Sequence, residues 1–379
     1  MDSFGFQLAC LSREEASARL ASAASTLTQD KFKAGGLTNW EPAHGPAPAK
    51  LKTTVRKGGI PPALRPGLWY QFSGGAARRR AEAAPNALFA RLLRRAAAGS
   101  AVNAADVGAE LARAFGPHAL LGSVRGVVGV TSLLQAYEQY SRLDLGAAAW
   151  TGLTRIAGLL LVVFSAACAE DAFWTLVALV EDRLPASCVL KATRAGAVEQ
   201  RVLEALAARR CPRLVAALAA ADAPLASLAA PWFPALFAGA LPAETVARVW
   251  DCLMLEGPKV LFRVALALSM MHETALASSH SVQIERAFKW RVARTFNSDA
   301  LLKLAFNGVG PLPMAAIKRA RADLEGAADA QAVEHQRRLE ALCAASQAAA
   351  ALRRPSSESS TERLPLATIE ESDESEADI

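Results

Sequence analysis

The chain has 379 residues, a formal net charge of +6 and 52 % hydrophobic but only 6 % aromatic residues, so it can bury a large core and its alanine content favours helices. Six scattered cysteines without a Cys-x-x-Cys pair offer neither a zinc cage nor a disulfide framework, and point to a reducing compartment. Met1 to Arg13 has no basic stretch followed by an apolar one, so no secretory signal is read there.

Residues 1–49 read as an irregular segment, with Gly35-Gly36 and three prolines inside the loop-like stretch 34–49. Apolar residues then recur at threes and fours over 101–115, 130–140, 156–180, 198–208, 243–254 and 260–271, which predicts helices throughout. Pro61-Pro62, Gly116-Pro117, Pro212, Pro231, Pro242 and Gly257-Pro258 punctuate them, and no alternating β-branched run bounded by a hairpin turn stands out. The longest apolar run, Ile156 to Ala169, is shorter than the roughly 20 residues a bilayer span takes and reads as a buried core helix.

A helical extension is expected over 321–354 and a disordered acidic tail over 355–379. From Ser356 onward eight acidic residues face the single Arg363, a balance of −7, which leaves +13 for residues 1–355. Arginine-rich solvated helix faces account for that excess; the other reading is peripheral contact with an anionic membrane. Nothing resembles a nucleic-acid module, and Ser359 and Ser375, each with an acid three residues on, only hint at phosphorylation.

The familiar enzyme motifs are missing. His272-Glu273 begins like a zinc-protease helix, but position 276 is Leu276. The histidines at 44, 118, 272, 280 and 335 form no cluster by spacing, and there is neither a phosphate loop nor a nucleophile elbow. No metal or cofactor of its own is expected.

Four segments in order carry a different signal. The first is Arg56-Lys57-Gly58-Gly59-Ile60-Pro61-Pro62-Ala63-Leu64-Arg65-Pro66-Gly67-Leu68-Trp69, where prolines pre-set a helix start and Arg65 and Trp69 lie one turn apart, so that a guanidinium can lie on an indole. In the second, Val107 to Gly116, residues 107, 110 and 113 share a helical face, so Glu110 can hold or orient Arg113. The third joins Leu133 to Tyr137, Gly146 to Gly152 and Ile156 to Leu161. The fourth runs from Pro231-Trp232-Phe233 through Leu241-Pro242 to Arg248-Val249-Trp250-Asp251, and ends at the helix stop Gly257-Pro258.

Together these segments, over about 50–310, resemble the TBC domain, a family of GTPase-activating proteins for Rab-type small GTPases. The resemblance implies an all-α, two-lobed domain over 50–320 acting on a GTP-bound Rab-type partner, in the cytoplasm or at endomembranes, in vesicle traffic. It implies that Arg113 is an arginine finger with Glu110 in support, and that Arg65, Trp69, Trp250 and Asp251 are structural, Asp251 capping or pairing internally. A finger of this kind is worth about 10³ to 10⁵ in rate. The family's aspartate is Glu110 here, its threonine Ala114 and its proline Gly116. Counting back from Ala157-Gly158, the family's second catalytic side chain, a glutamine, falls on Thr151, which is too short to replace it. No glutamine occurs anywhere from 140 to 199. Arg294-Thr295-Phe296 spells the finger tripeptide more closely but lies far past its place.

Three readings stay open. Either Arg113 acts alone on a GTPase that uses its own glutamine, or the domain is a pseudo-activator that only binds, or the helices form a scaffold or membrane-peripheral adaptor.

Overall fold

Capping side chains, prolines and glycines set the helix boundaries of the computed structural model, which describes residues 1–7, 11–24, 29–34, 38–42, 45–143, 145, 147–165, 168–185, 198–277 and 284–324. Among them no strand occurs; isolated bridges include Phe6–His118 and Ala238–Leu241. The chain is all-α. The acidic tail at 355–379 and all but the first residues of the extension at 321–354 lie outside the described residues; a helix over 314–324 is described.

In chain order the helices begin with α1 (Arg13–Ala24), α2 (Gln29–Ala34), α3 (Ala49–Gly58), α4 (Arg65–Ser73), α5 (Gly75–Ala81), α6 (Pro85–Ala98), α7 (Ala104–Phe115), α8 (Val124–Tyr140), α9 (Ala147–Phe164) and α10 (Ala169–Ala178). After them come Val198–Ala208, Pro212–Ala220, Leu225–Leu228, Ala243–Glu256, Lys259–Ala277, Ile284–Ala293 and Ser298–Lys303.

Two groups of helices emerge. In the first, α10 is buried from Ala172 to Ala178 and packs against α4, α5, α8 and α9, with Phe173 and Trp174 meeting Tyr140 at ring-centroid distances of 5.8 and 5.5 Å. In the second, the helix Lys259–Ala277 is the hub, touching the helices at 198–208, 212–220, 243–256, 284–293 and 298–303. The helix Ala243–Glu256 joins the groups, because it packs on α3 and α4 as well as on the hub. It is buried without interruption from Thr245 to Leu255. Each fully buried large side chain there, such as Leu253, is worth about 1.5–3 kcal/mol.

Two expectations need correction. Residues 1–49 are not irregular throughout: α1 and α2 lie there, and α1 packs on the helix Ser298–Lys303, with Ser22 and Ser298 sharing a 2.6 Å hydroxyl contact. Nor is 156–180 one helix. The chain leaves α9 at Ser165, which takes φ 61°, and restarts at α10 with Glu170 and Asp171 in the first turn, where carboxylates complement the helix dipole. Among the described residues no helix is long and apolar enough to cross a membrane.

Candidate functional site

Helix α7 presents the finger candidate. Asn103 caps it by accepting from the Asp106 amide at 2.9 Å; Val107 and Leu111 are buried, and Arg113 sits in the last turn, where a cation complements the dipole. The helix stops at Gly116 with φ 64°, a conformation open to glycine and closed to proline, whose ring locks φ near −65°. The replacement of the expected proline by Gly116 is therefore built into the way this helix ends.

Arg113 and Glu110 differ sharply in exposure. The Arg113 side chain is 69 % exposed, whereas that of Glu110 is 7 % exposed and ion-pairs with Arg113 through one carboxylate oxygen. The other oxygen accepts from Nε of Arg155 at 2.6 Å. Arg155 is 16 % exposed, and its burial pushes the guanidinium below its ordinary value without discharging it. One buried carboxylate thus holds two guanidinium groups, one inside and one at the surface.

Arg155 went unnoticed in the sequence. It is the only charged residue in the 18 residues of α9, and a lone charge in an apolar helix needs a partner. Thr151 lies one turn before it. Both Arg113 and Thr151 line a groove of about 530 Å³ together with Asn103, Asp106, Glu138 and Trp150. Gly152 allows the close approach that holds α9 in place: a Cβ there would lie 2.3 Å from the Pro234 carbonyl oxygen.

The nearest glutamines on α8 are committed to backbone. Gln135 donates to the Val102 carbonyl at 2.9 Å and Gln139 to that of Gly99 at 3.3 Å. The decoy arginine is occupied too, for Arg294 ion-pairs with Glu15 of α1 and lies over Trp290 at 5.0 Å.

The first and fourth segments meet at Asp251, away from this groove. Its Oδ1 accepts from Arg65 Nε at 3.1 Å and Trp69 Nε1 at 2.8 Å; its Oδ2 accepts from Arg65 Nη2 at 3.0 Å and the Ile60 amide at 2.9 Å. The expected stacking of Arg65 on Trp69 gives way to this shared carboxylate, and the guanidinium lies over the Phe4 ring, 5.9 Å from its centroid. Trp250 packs on Trp69 at 5.5 Å and donates to the Leu236 carbonyl at 2.9 Å. Nearby, Arg248 ties α3 to the helix Ala243–Glu256 through the Val55 carbonyl at 2.9 Å and to Asp299 at 2.8 Å.

The Rab-GTPase-TBC domain family model matches residues 104–277, a span that contains Glu110, Arg113, Thr151 and Asp251. The solved structure of the Chlamydomonas flagellar RabGAP TBC domain is similar, with a TM-score of 0.66 at 28 % identity, over 82 % of this chain and 99 % of that one. The chain carries a TBC domain. TBC1 domain family member 2A of Mus musculus is 37 % identical over 172 residues, 45 % of this chain and 18 % of that protein. Small G protein signaling modulator 3 of Homo sapiens is 28 % identical over 279 residues, 73 % of this chain and 36 % of that protein. The chain therefore spans well under half the length of these relatives. The Ypt/Rab-GAP domain of Gyp1p shares the fold, with a TM-score of 0.56 at 14 % identity over 77 % of this chain and 98 % of that one.

The basic charge of the chain is less available than the count suggests. On α5, Arg78 pairs with Glu181 and Asp182, Arg79 with Glu170 and Asp171, and Arg80 with Glu41.

Proposed function

We propose that this TBC domain, over about residues 50–320, binds a GTP-loaded Rab-type GTPase and accelerates hydrolysis by inserting Arg113 into the partner's nucleotide site. The observation that carries the reading is the exposure of Arg113 at the rim of the groove, above a carboxylate that stays buried. Its guanidinium would neutralise charge on the transferring phosphoryl group, an effect worth about 10³ to 10⁵ in rate. Nucleotide and magnesium belong to the partner. The protein acts in trans as a regulator of vesicle traffic, in the cytoplasm or at the surface of endomembranes.

One specific observation favours a second reading, a pseudo-activator. Thr151 occupies the glutamine position, no glutamine lies between 140 and 199, and both glutamines of α8 are engaged elsewhere. Under the first reading the water is positioned by the GTPase's own glutamine, and Arg113 supplies the charge alone.

The test is GTP turnover by a panel of Rab proteins with this protein and with Arg113→Ala. Stimulation by the wild type that is lost in Arg113→Ala supports the activator. Basal rates for both on every Rab remove it; GTP-dependent capture of a Rab would then support the pseudo-activator.

A further inference from the structure

We infer that Arg155 is a positioning residue that frees Arg113 to leave Glu110 when the partner's nucleotide arrives. The inference rests on Arg113 acting as a finger. The geometry begins with Glu110, whose side chain is 7 % exposed. A carboxylate that dry is costly without a counter-charge. If Arg113 were its sole counter-charge, each departure of the finger would strand a buried anion. Arg155 removes that penalty: it holds Oε1 at 2.6 Å, is itself mostly buried, and meets no carboxylate but Glu110 among the described residues.

The two arginines therefore divide the work. Arg155 neutralises Glu110 permanently from the inside, where its Cδ lies 3.4 Å from where a Cβ on Gly239 would sit, so the 238–241 turn confines it. Arg113, exposed, is held by what remains of the carboxylate's charge and can exchange it for a phosphoryl oxygen. Without Arg155, Glu110 would keep Arg113 at home. The ground-state pair would tighten, while the transition-state contact would stay the same.

Arg155→Met tests this, since it keeps the stem and removes the charge. With a Rab that the wild type stimulates, kcat should fall about tenfold, the loss expected for one charge-assisted hydrogen bond, with KM changed no more than about twofold. Arg155→Lys should restore most of the rate. In the E110Q background, Arg155→Met should cost no more than about twofold, because there is no buried anion left to hold the finger. That double variant strands no buried charge, so it also serves if Arg155→Met folds poorly. An equal loss from Arg155→Met with and without E110Q overturns the inference.

A second measurement separates this idea from the finger reading. In arginine-labelled full-length protein, the Arg113 Nη2 protons, which face Glu110, should exchange with solvent more slowly in Arg155→Met than in wild type. Unchanged exchange overturns the inference whatever the Rab assay gives. Absence of stimulation by the wild type overturns the finger reading and leaves the exchange result to decide the coupling.

Discussion

Replacing Asp251 by asparagine should unfold this domain far more readily than any surface change. The carboxylate is fully buried and accepts four hydrogen bonds, two from Arg65 and one each from Trp69 and Ile60. Asparagine keeps one acceptor oxygen and puts a donor NH₂ in place of the other. Whichever way it turns, two of the four donors face another donor, and the buried Arg65 loses its counter-charge. Breaking a buried ion pair from one side costs about 3–5 kcal/mol, and each orphaned neutral donor adds about 1–3 kcal/mol. Neighbouring losses do not add fully, so about 4–6 kcal/mol is expected. That is a large part of the roughly 5–15 kcal/mol that holds a domain folded. At about 2 °C for each kcal/mol in a chain of this size, Tm should fall by about 10 °C. Urea unfolding followed by tryptophan fluorescence, alongside calorimetry, measures it. Glu285→Gln is the control: Glu285 is 51 % exposed and its partner Lys289 60 % exposed where they meet, so the change should cost at most about 0.5 kcal/mol. A midpoint for Asp251→Asn as close to wild type as that of the control would refute the reasoning.

Thr151→Gln should return a water-positioning amide to the groove that Arg113 lines, and raise turnover at least about tenfold on a Rab whose own catalytic glutamine has been replaced. Unchanged turnover there would place the glutamine register elsewhere. Gly152→Ala sets a methyl against the backbone of Pro234, which no rotamer can relieve, so a loss of about 1–3 kcal/mol in denaturant unfolding is expected. Stability should also fall as pH drops from 6.5 towards 4. Burial lowers the His272 pKa from 6.5 to about 4, so the unfolded chain binds the extra proton in that window and the contribution, complete above 6.5, is lost on acidification. His272→Gln should flatten this slope. The Arg294 contact that holds Glu15 down to about 2 acts only at lower pH, below its ordinary value of 4.5, and should survive the substitution.

What the sequence disclosed followed from local rules. Helix periodicity located Val198–Ala208 to the residue and α7 to within three residues at its start, because each has a single buried stripe and a clear stop. It merged α9 with α10 because apolar residues dominate both, and a break at Ser165 does little to disturb the apolar pattern. The helices in 1–49 escaped notice for the opposite reason: α1 has almost no apolar face, and its place is secured by Arg19 on Glu244 and Glu15 on Arg294, partners more than 200 residues away. At the site, Glu110 with Arg113 was legible as an i, i+3 pair. Asp251 could be given a structural role, but its four donors come from a segment about 190 residues earlier. No spacing rule reaches that far.

Exposure separates the two carboxylates that each grip an arginine. Asp251 is saturated: four donors at 2.8 to 3.1 Å fill both oxygens, and Arg65 is itself buried with it. Any motion there would strand a charge, so that pair can only be a fixed joint between α4 and the helix Ala243–Glu256. Glu110 is buried too, yet only one of its two guanidinium partners is buried with it. Its outer partner can leave without stranding the carboxylate, because the inner one stays. Both sites have the same chemistry, a carboxylate between nitrogen donors, and the difference in burial of a single side chain makes one a rivet and the other a latch. The finger proposed for Arg113 would need such a latch, and among the described residues Glu110 is the carboxylate that one buried and one exposed arginine share in this way.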